Sequence, residues 1–131
     1  MSRVLRVVFV LWAGSLWSLA AWVALILFRA QPDRHLAGML AGRLFSIETY
    51  VGLAASALAL VGARRRRFGR GFAAAGLLCV DEWLIKPQMT RAQAHGSALG
   101  LGFGAWHGVA AVVYLAACLL VLWLVWDEDL R

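Results

Sequence analysis

Charge is scarce in this chain, and so are proline and cysteine. Only 15% of the 131 residues are charged, and there are two prolines and two cysteines. Ordinary globular domains carry about a quarter charged residues. With 63% hydrophobic residues and a mean hydropathy of +0.75, a water-soluble fold would have to expose its apolar surplus. That composition excludes the soluble classes and makes lipid the solvent. Two cysteines are too few for a disulfide framework. Cys79 and Cys118 both fall inside apolar blocks at different depths, so they read as buried free thiols rather than a bridge. Motifs that carry chemistry are also missing. There is no HExxH or CxxC, no phosphate loop and no nucleophile–base pairing, and GLGFG (100–104) lacks the preceding strand of a dinucleotide site. The chain is not expected to be an enzyme.

What the chain does have is long apolar runs. VLRVVFVLWAGSLWSLAAWVALILF (4–28) carries no charge after Arg6 and outlasts the 7–15 apolar residues of a cleavable signal core, so it reads as a retained first span. Pro32 and Asp33 signal a helix start. A short interfacial helix at 33–43 then leads into a second span at 44–63. A third span covers 71–87 and ends at the Lys86–Pro87 step, because the residue before a proline is biased away from helical backbone. A loop at 90–100 precedes a fourth span at 101–126. The expected fold is therefore all-α: one transmembrane domain over 1–131, with four helices in an antiparallel bundle.

The basic residues are unevenly placed. Five of the thirteen sit in ARRRRFGRG (63–71), between two apolar blocks. In a membrane protein such a cluster is first a topology signal, and no soluble domain is present to offer it to nucleic acid. Four spans gather Arg3, Arg6, Arg64 to Arg67, Arg70 and Arg131 on one side. Arg29, Arg34, Arg43, Lys86 and Arg91 fall on the other. The positive-inside rule then expects a multi-pass protein of a bacterial inner membrane with both termini cytoplasmic. Trp123 and Trp126 fit an aromatic belt at the inner interface.

Small residues recur at helical spacing in three spans and suggest packing faces. These are Gly14, Ser18 and Ala21 in the first span and Gly52, Ser56 and Ala59 in the second. In the fourth they are Gly100, Gly104, His107, Ala111, Tyr114 and Cys118.

Ionisable residues inside spans are the functional candidates, since a charge at mid-membrane costs about 2.5–3.5 kcal/mol on insertion scales and normally has a partner. Counted from the outer ends at about 1.5 Å per residue, Asp81, Glu82, Lys86, Glu48 and His107 fall in one outer layer. Glu82 and Lys86, four apart in the favourable order, are expected to pair. Asp81 points about 100° away, leaving His107, Arg43 or Glu48 as its partner. The layer reads either as an ion-paired lock or as a polar pocket for an ion or small molecule. A metal set of His35, Met39, Met89, His95 and His107 is a further candidate. Imidazole with thioether suits copper, and imidazole with carboxylate suits zinc or iron. Haem between two histidines is disfavoured because only His107 lies within a span.

Three stretches, LFRAQPDRHLAGMLAGRLF (27–45), VDEWLIKPQMTRAQA (80–94) and FGAWHGVAAVVYLAACLL (103–120), resemble the transmembrane protein 205 family. That family includes bacterial four-span proteins carrying a domain of unknown function. The most specific pieces are Trp83–Pro87 and Trp106–Gly108. The resemblance implies a small polytopic membrane protein without an established activity. The vertebrate member's link to platinum-drug resistance hints at export or trafficking of metal or thiol-bound cargo. This chain lacks the long segment that precedes the last span of the vertebrate form. The expectation from the residues is a protein that binds, or helps transport, a small molecule or ion through its polar layer. The alternatives are an accessory subunit of a membrane complex or a metal- or haem-binding protein. At this size a homo-oligomer or a partner membrane protein is expected.

Overall fold

The computed structural model describes residues 3–62 and 65–129, and its elements are all helical, with no strand among the described residues. Ala63, where the second span was expected to end, lies outside the described residues, as do Arg64 and Arg131 of the topology count. We number four continuous helices: α1, Arg3–Ala30; α2, Arg34–Gly62; α3, residues 65–95; and α4, Phe103–Asp129. α1, most of α2 and most of α4 are long and apolar enough to cross a membrane. The exception is α3, which carries Asp81, Glu82 and Lys86 near its middle.

Local sequence explains most of the boundaries. Asp33 Oδ1 accepts hydrogen bonds from the backbone N–H groups of His35 (2.9 Å) and Leu36 (3.2 Å), which caps α2. The segment 33–43 is not a separate interfacial helix, because α2 runs through it without a break. Its Gly38 and Gly42 sit within regular helix, so nothing there forces a bend. The connection from α3 to α4 is a tight turn in which Gly96, Leu99 and Gly100 take positive φ. Ala98 and Leu101 exchange two backbone hydrogen bonds there, at 2.9 and 3.0 Å. Trp106 Nε1 closes the turn by donating to the Ala98 carbonyl at 2.9 Å.

α3 does not stop at Pro87. The helix continues to His95, directly after a π-helical turn at Asp81–Ile85 in which the Lys86 N–H bonds the Asp81 carbonyl. Pro87 has no N–H to offer and its ring crowds the carbonyl four residues back. The widened turn before it is how the helix accommodates both. α1 contains a second such turn at Leu19–Val23, where the Ala24 N–H reaches Leu19.

α1 packs mainly on α2 and α4, and α3 also packs mainly on α2 and α4. The shared core joins Phe9, Trp12 and Leu16 of α1 to Ala55 and Ala59 of α2. Ala74, Ala75 and Leu78 of α3 and Ala117, Cys118, Val121 and Leu124 of α4 complete it. Bulk from one helix fills the space that small residues leave on another. Gly52 shows this most sharply: a β-carbon there would lie 2.8 Å from Trp12 Cζ2 and 3.1 Å from Leu78 Cδ1. The small face expected on α2 is therefore real, with Gly52, Ser56 and Ala59 all buried. That of α1 is not, because Gly14, Ser18 and Ala21 are exposed and the large residues on the other side are packed. On α4 only Tyr114 and Cys118 of the expected face are buried, while Gly100, Gly104, His107 and Ala111 are exposed. The packed line instead descends through Trp106, Ala110, Val113, Ala117, Val121 and Leu124. That line differs by one residue, or about 100° of rotation.

The arginine-rich end of α3 meets the far end of α4. Arg70 pairs with Asp127 at 2.7 Å and its guanidinium lies 4.0 Å over the Trp123 ring. A β-carbon at Gly71 would touch Phe9 and Leu124, so the start of α1 reaches the same end. Cys79 and Cys118 are both free thiols.

Candidate functional site

Two polar features interrupt the apolar interior, and they divide residues that the sequence placed in one layer. The first is a seam between α2 and α3. Lys86 Nζ donates to Ser46 Oγ at 2.6 Å, to the Gly42 carbonyl at 3.2 Å and to both oxygens of Glu82 at 3.2 Å. Ser46 Oγ in turn lies 2.8 Å from Glu82 Oε1 and 3.0 Å from the Gly42 carbonyl. An ammonium has three protons, and here it meets three groups. The expected Glu82–Lys86 pair is present, with Glu82 15% and Lys86 41% exposed.

The second feature is a groove between α1 and α2. It has a volume of about 340 Å³ and is lined by Val8, Leu11, Trp12, Ser15, Glu48, Val51 and Ala55. Leu11 and Val51 are exposed at its mouth. Glu48 is only 8% exposed and stands fourteen residues from either end of α2, about 21 Å along the axis. This places it at mid-helix, two residues from Ser46 of the seam. Its side-chain partner is Ser15, whose Oγ lies 3.1 Å from Glu48 Oε2. The same hydroxyl is 2.9 Å from the Trp12 carbonyl. The one hydroxyl proton is shared between these two acceptors. Trp12 is 1% exposed, and its indole N–H has no hydrogen-bond partner.

The remaining candidates are scattered. Arg43 is exposed and takes no part in the seam. His107 is exposed one turn into α4, where its ring stacks on Phe103 at 6.1 Å and 16°. Neither serves Asp81, which is half-buried with Oδ1 lacking a hydrogen-bond partner. Asp81 and Glu48 are both within electrostatic range of Tyr114, whose hydroxyl donates to the Leu16 carbonyl at 2.8 Å. Of the metal set, His35, Met39, His95 and His107 are exposed and Met89 is half-buried. Among the described residues no three histidine, cysteine, aspartate or glutamate side chains gather into a metal-holding group.

Sequence reasoning missed Ser15, Ser46 and Trp12. Ser46 left a usable signal, since it follows Gly42 by one turn and shares a face with it. Ser15 left only its position three residues after a tryptophan in an apolar run.

A family described as a domain of unknown function (DUF4149) matches residues 7–126. The chain belongs to this family. As a DUF4149 protein it contains both polar features within the matched region, from Val8 at the groove to Lys86 at the seam. No curated protein and no solved structure matches it.

Proposed function

We propose that the chain is a four-span protein of a bacterial inner membrane, with cytoplasmic termini, that binds a small molecule drawn from the bilayer. The observation that carries this is Glu48, a buried carboxyl at mid-helix that opens onto a groove instead of a closed network. An intramembrane ionisable residue is by default a functional candidate, and a concave, mostly apolar site with a few convergent polar groups is how small ligands are held. The Ser46–Glu82–Lys86 seam takes the other role, as the lock that holds α2 to α3. The four-helix bundle is part of this reading, supported by the packing of α1 and α3 on both α2 and α4. The orientation is supported by the Arg70–Asp127 pair at the basic end. The likeness to the transmembrane protein 205 family belongs to the same reading.

The test is purification in mild detergent, followed by mass spectrometry of the organic extract and of co-purifying chains. One small molecule per chain is expected, and it should be lost from Val51→Trp, which fills the groove from its open side. Recovery of a stoichiometric partner subunit with no extracted ligand overturns the proposal in favour of an accessory subunit.

A further inference from the structure

Glu48 brings a carboxyl to mid-helix with no cation of the chain set against it. Oε2 takes its hydrogen bond from Ser15, a neutral hydroxyl. Oε1 takes none among the described residues, yet it is not one of the unpartnered atoms sealed in the interior. It therefore reaches open space, and the open space that Glu48 lines is the α1–α2 groove. No lysine, arginine or histidine lines that groove. Ser46 stands about 200° round α2 from Glu48, and on that side Lys86 is held by Ser46, Glu82 and Gly42. Ionisable groups inside a membrane normally pair with one another. The partner that the groove lacks is a positive charge.

The rest of the lining limits what can carry that charge. Glu48 and Ser15 are the polar side chains that the groove offers, since the Trp12 N–H is enclosed. A calcium or magnesium ion takes six or more oxygen ligands, and two side chains fall well short of that. Val8, Leu11, Val51 and Ala55 call instead for an apolar body. Leu11 and Val51 are exposed at the mouth, so such a body can enter sideways, between α1 and α2. Resting on the binding reading above, we infer that the groove takes a lipophilic organic cation, with its charge against Glu48 Oε1 and its hydrocarbon along α1 and α2. The volume of about 340 Å³ sets its size, near the lower end of the roughly 300–1,000 Å³ of small-ligand pockets.

The experiment measures binding of tritiated dodecyltrimethylammonium to the full chain in dimyristoylphosphatidylcholine nanodiscs, with uptake by empty nanodiscs subtracted. Saturation at one cation per chain is expected. The hydrocarbon 2,2-dimethyltetradecane, in which carbon replaces the charged nitrogen, should not displace it. Glu48→Gln keeps the shape of the side chain and should weaken binding about tenfold or more, and Val51→Trp should abolish it. If the hydrocarbon displaces the cation, or Glu48→Gln binds it unchanged, the assignment of a cation is overturned while the binding reading stands. If Val51→Trp binds it unchanged, the groove is not the site and both fall. If the cation does not saturate at all, the assignment falls, and the mass spectrum of the organic extract decides the binding reading separately. An uncharged ligand there keeps that reading, and an empty extract removes it.

Discussion

The α2–α3 seam and the α1–α2 groove each set a glutamate against apolar helices, and they treat it in opposite ways. At the seam, Glu82 faces an ammonium and a hydroxyl, and every proton of Lys86 has an acceptor. In the groove, Glu48 is better buried yet has one neutral donor, and that donor has a second acceptor in reach. A fully connected polar network rigidifies its surroundings, whereas a partly satisfied one leaves a buried group at a cost. On the proposed reading, the difference separates holding the fold together from binding a ligand.

The largest expected effect comes from the wall of the groove. Trp12→Ala removes a fully buried aromatic at the centre of the core and should cost about 3–5 kcal/mol, read as earlier unfolding in a denaturant titration in detergent. Next comes the seam. Lys86→Met leaves Glu82 with Ser46 alone and should cost about 1–3 kcal/mol. Adding Glu82→Gln should restore most of that, because the stranded carboxylate is then gone. The smallest effect is at the groove's own carboxylate. Glu48→Gln keeps its shape and can still accept from Ser15, so its stability in the same titration should change by less than about 1 kcal/mol. If Glu48→Gln proved more damaging than Lys86→Met, the roles given to the two glutamates would be reversed.

Membrane class, helical content and the cap at Asp33 were legible in the residues because each depends on local composition or on a motif a few positions long. The Glu82–Lys86 pair was legible for the same reason. The faces were harder. In a helix apolar all round no polar stripe marks the inner side, and small residues proved a guide on α2 and a false one on α1. There Gly14, Ser18 and Ala21 are exposed while Phe9, Trp12 and Leu16 pack. On α4 a shift of one residue moved His107 out of the site. The height of Glu48 was counted from a span start at Leu44. The helix begins a further ten residues upstream, at Arg34. Ser15 could not be paired with Glu48 from the sequence, since the contact joins residues thirty-three apart on different helices.

The π turn at Asp81–Ile85 also fixes the phase of everything after it. A widened turn takes up one residue more than an α turn, and each residue carries about 100° of rotation and 1.5 Å of rise. Closing this turn into ordinary helix without losing a residue would swing 86–95 through roughly a quarter-turn, and Lys86 would then face away from Gly42 and Ser46 without any change in its own identity. Deleting one residue from the turn would instead remove the widening and leave that facing nearly unchanged. The register of 86–95 is thus set by how one turn absorbs one residue, and a deletion there should disturb the seam less than its position suggests.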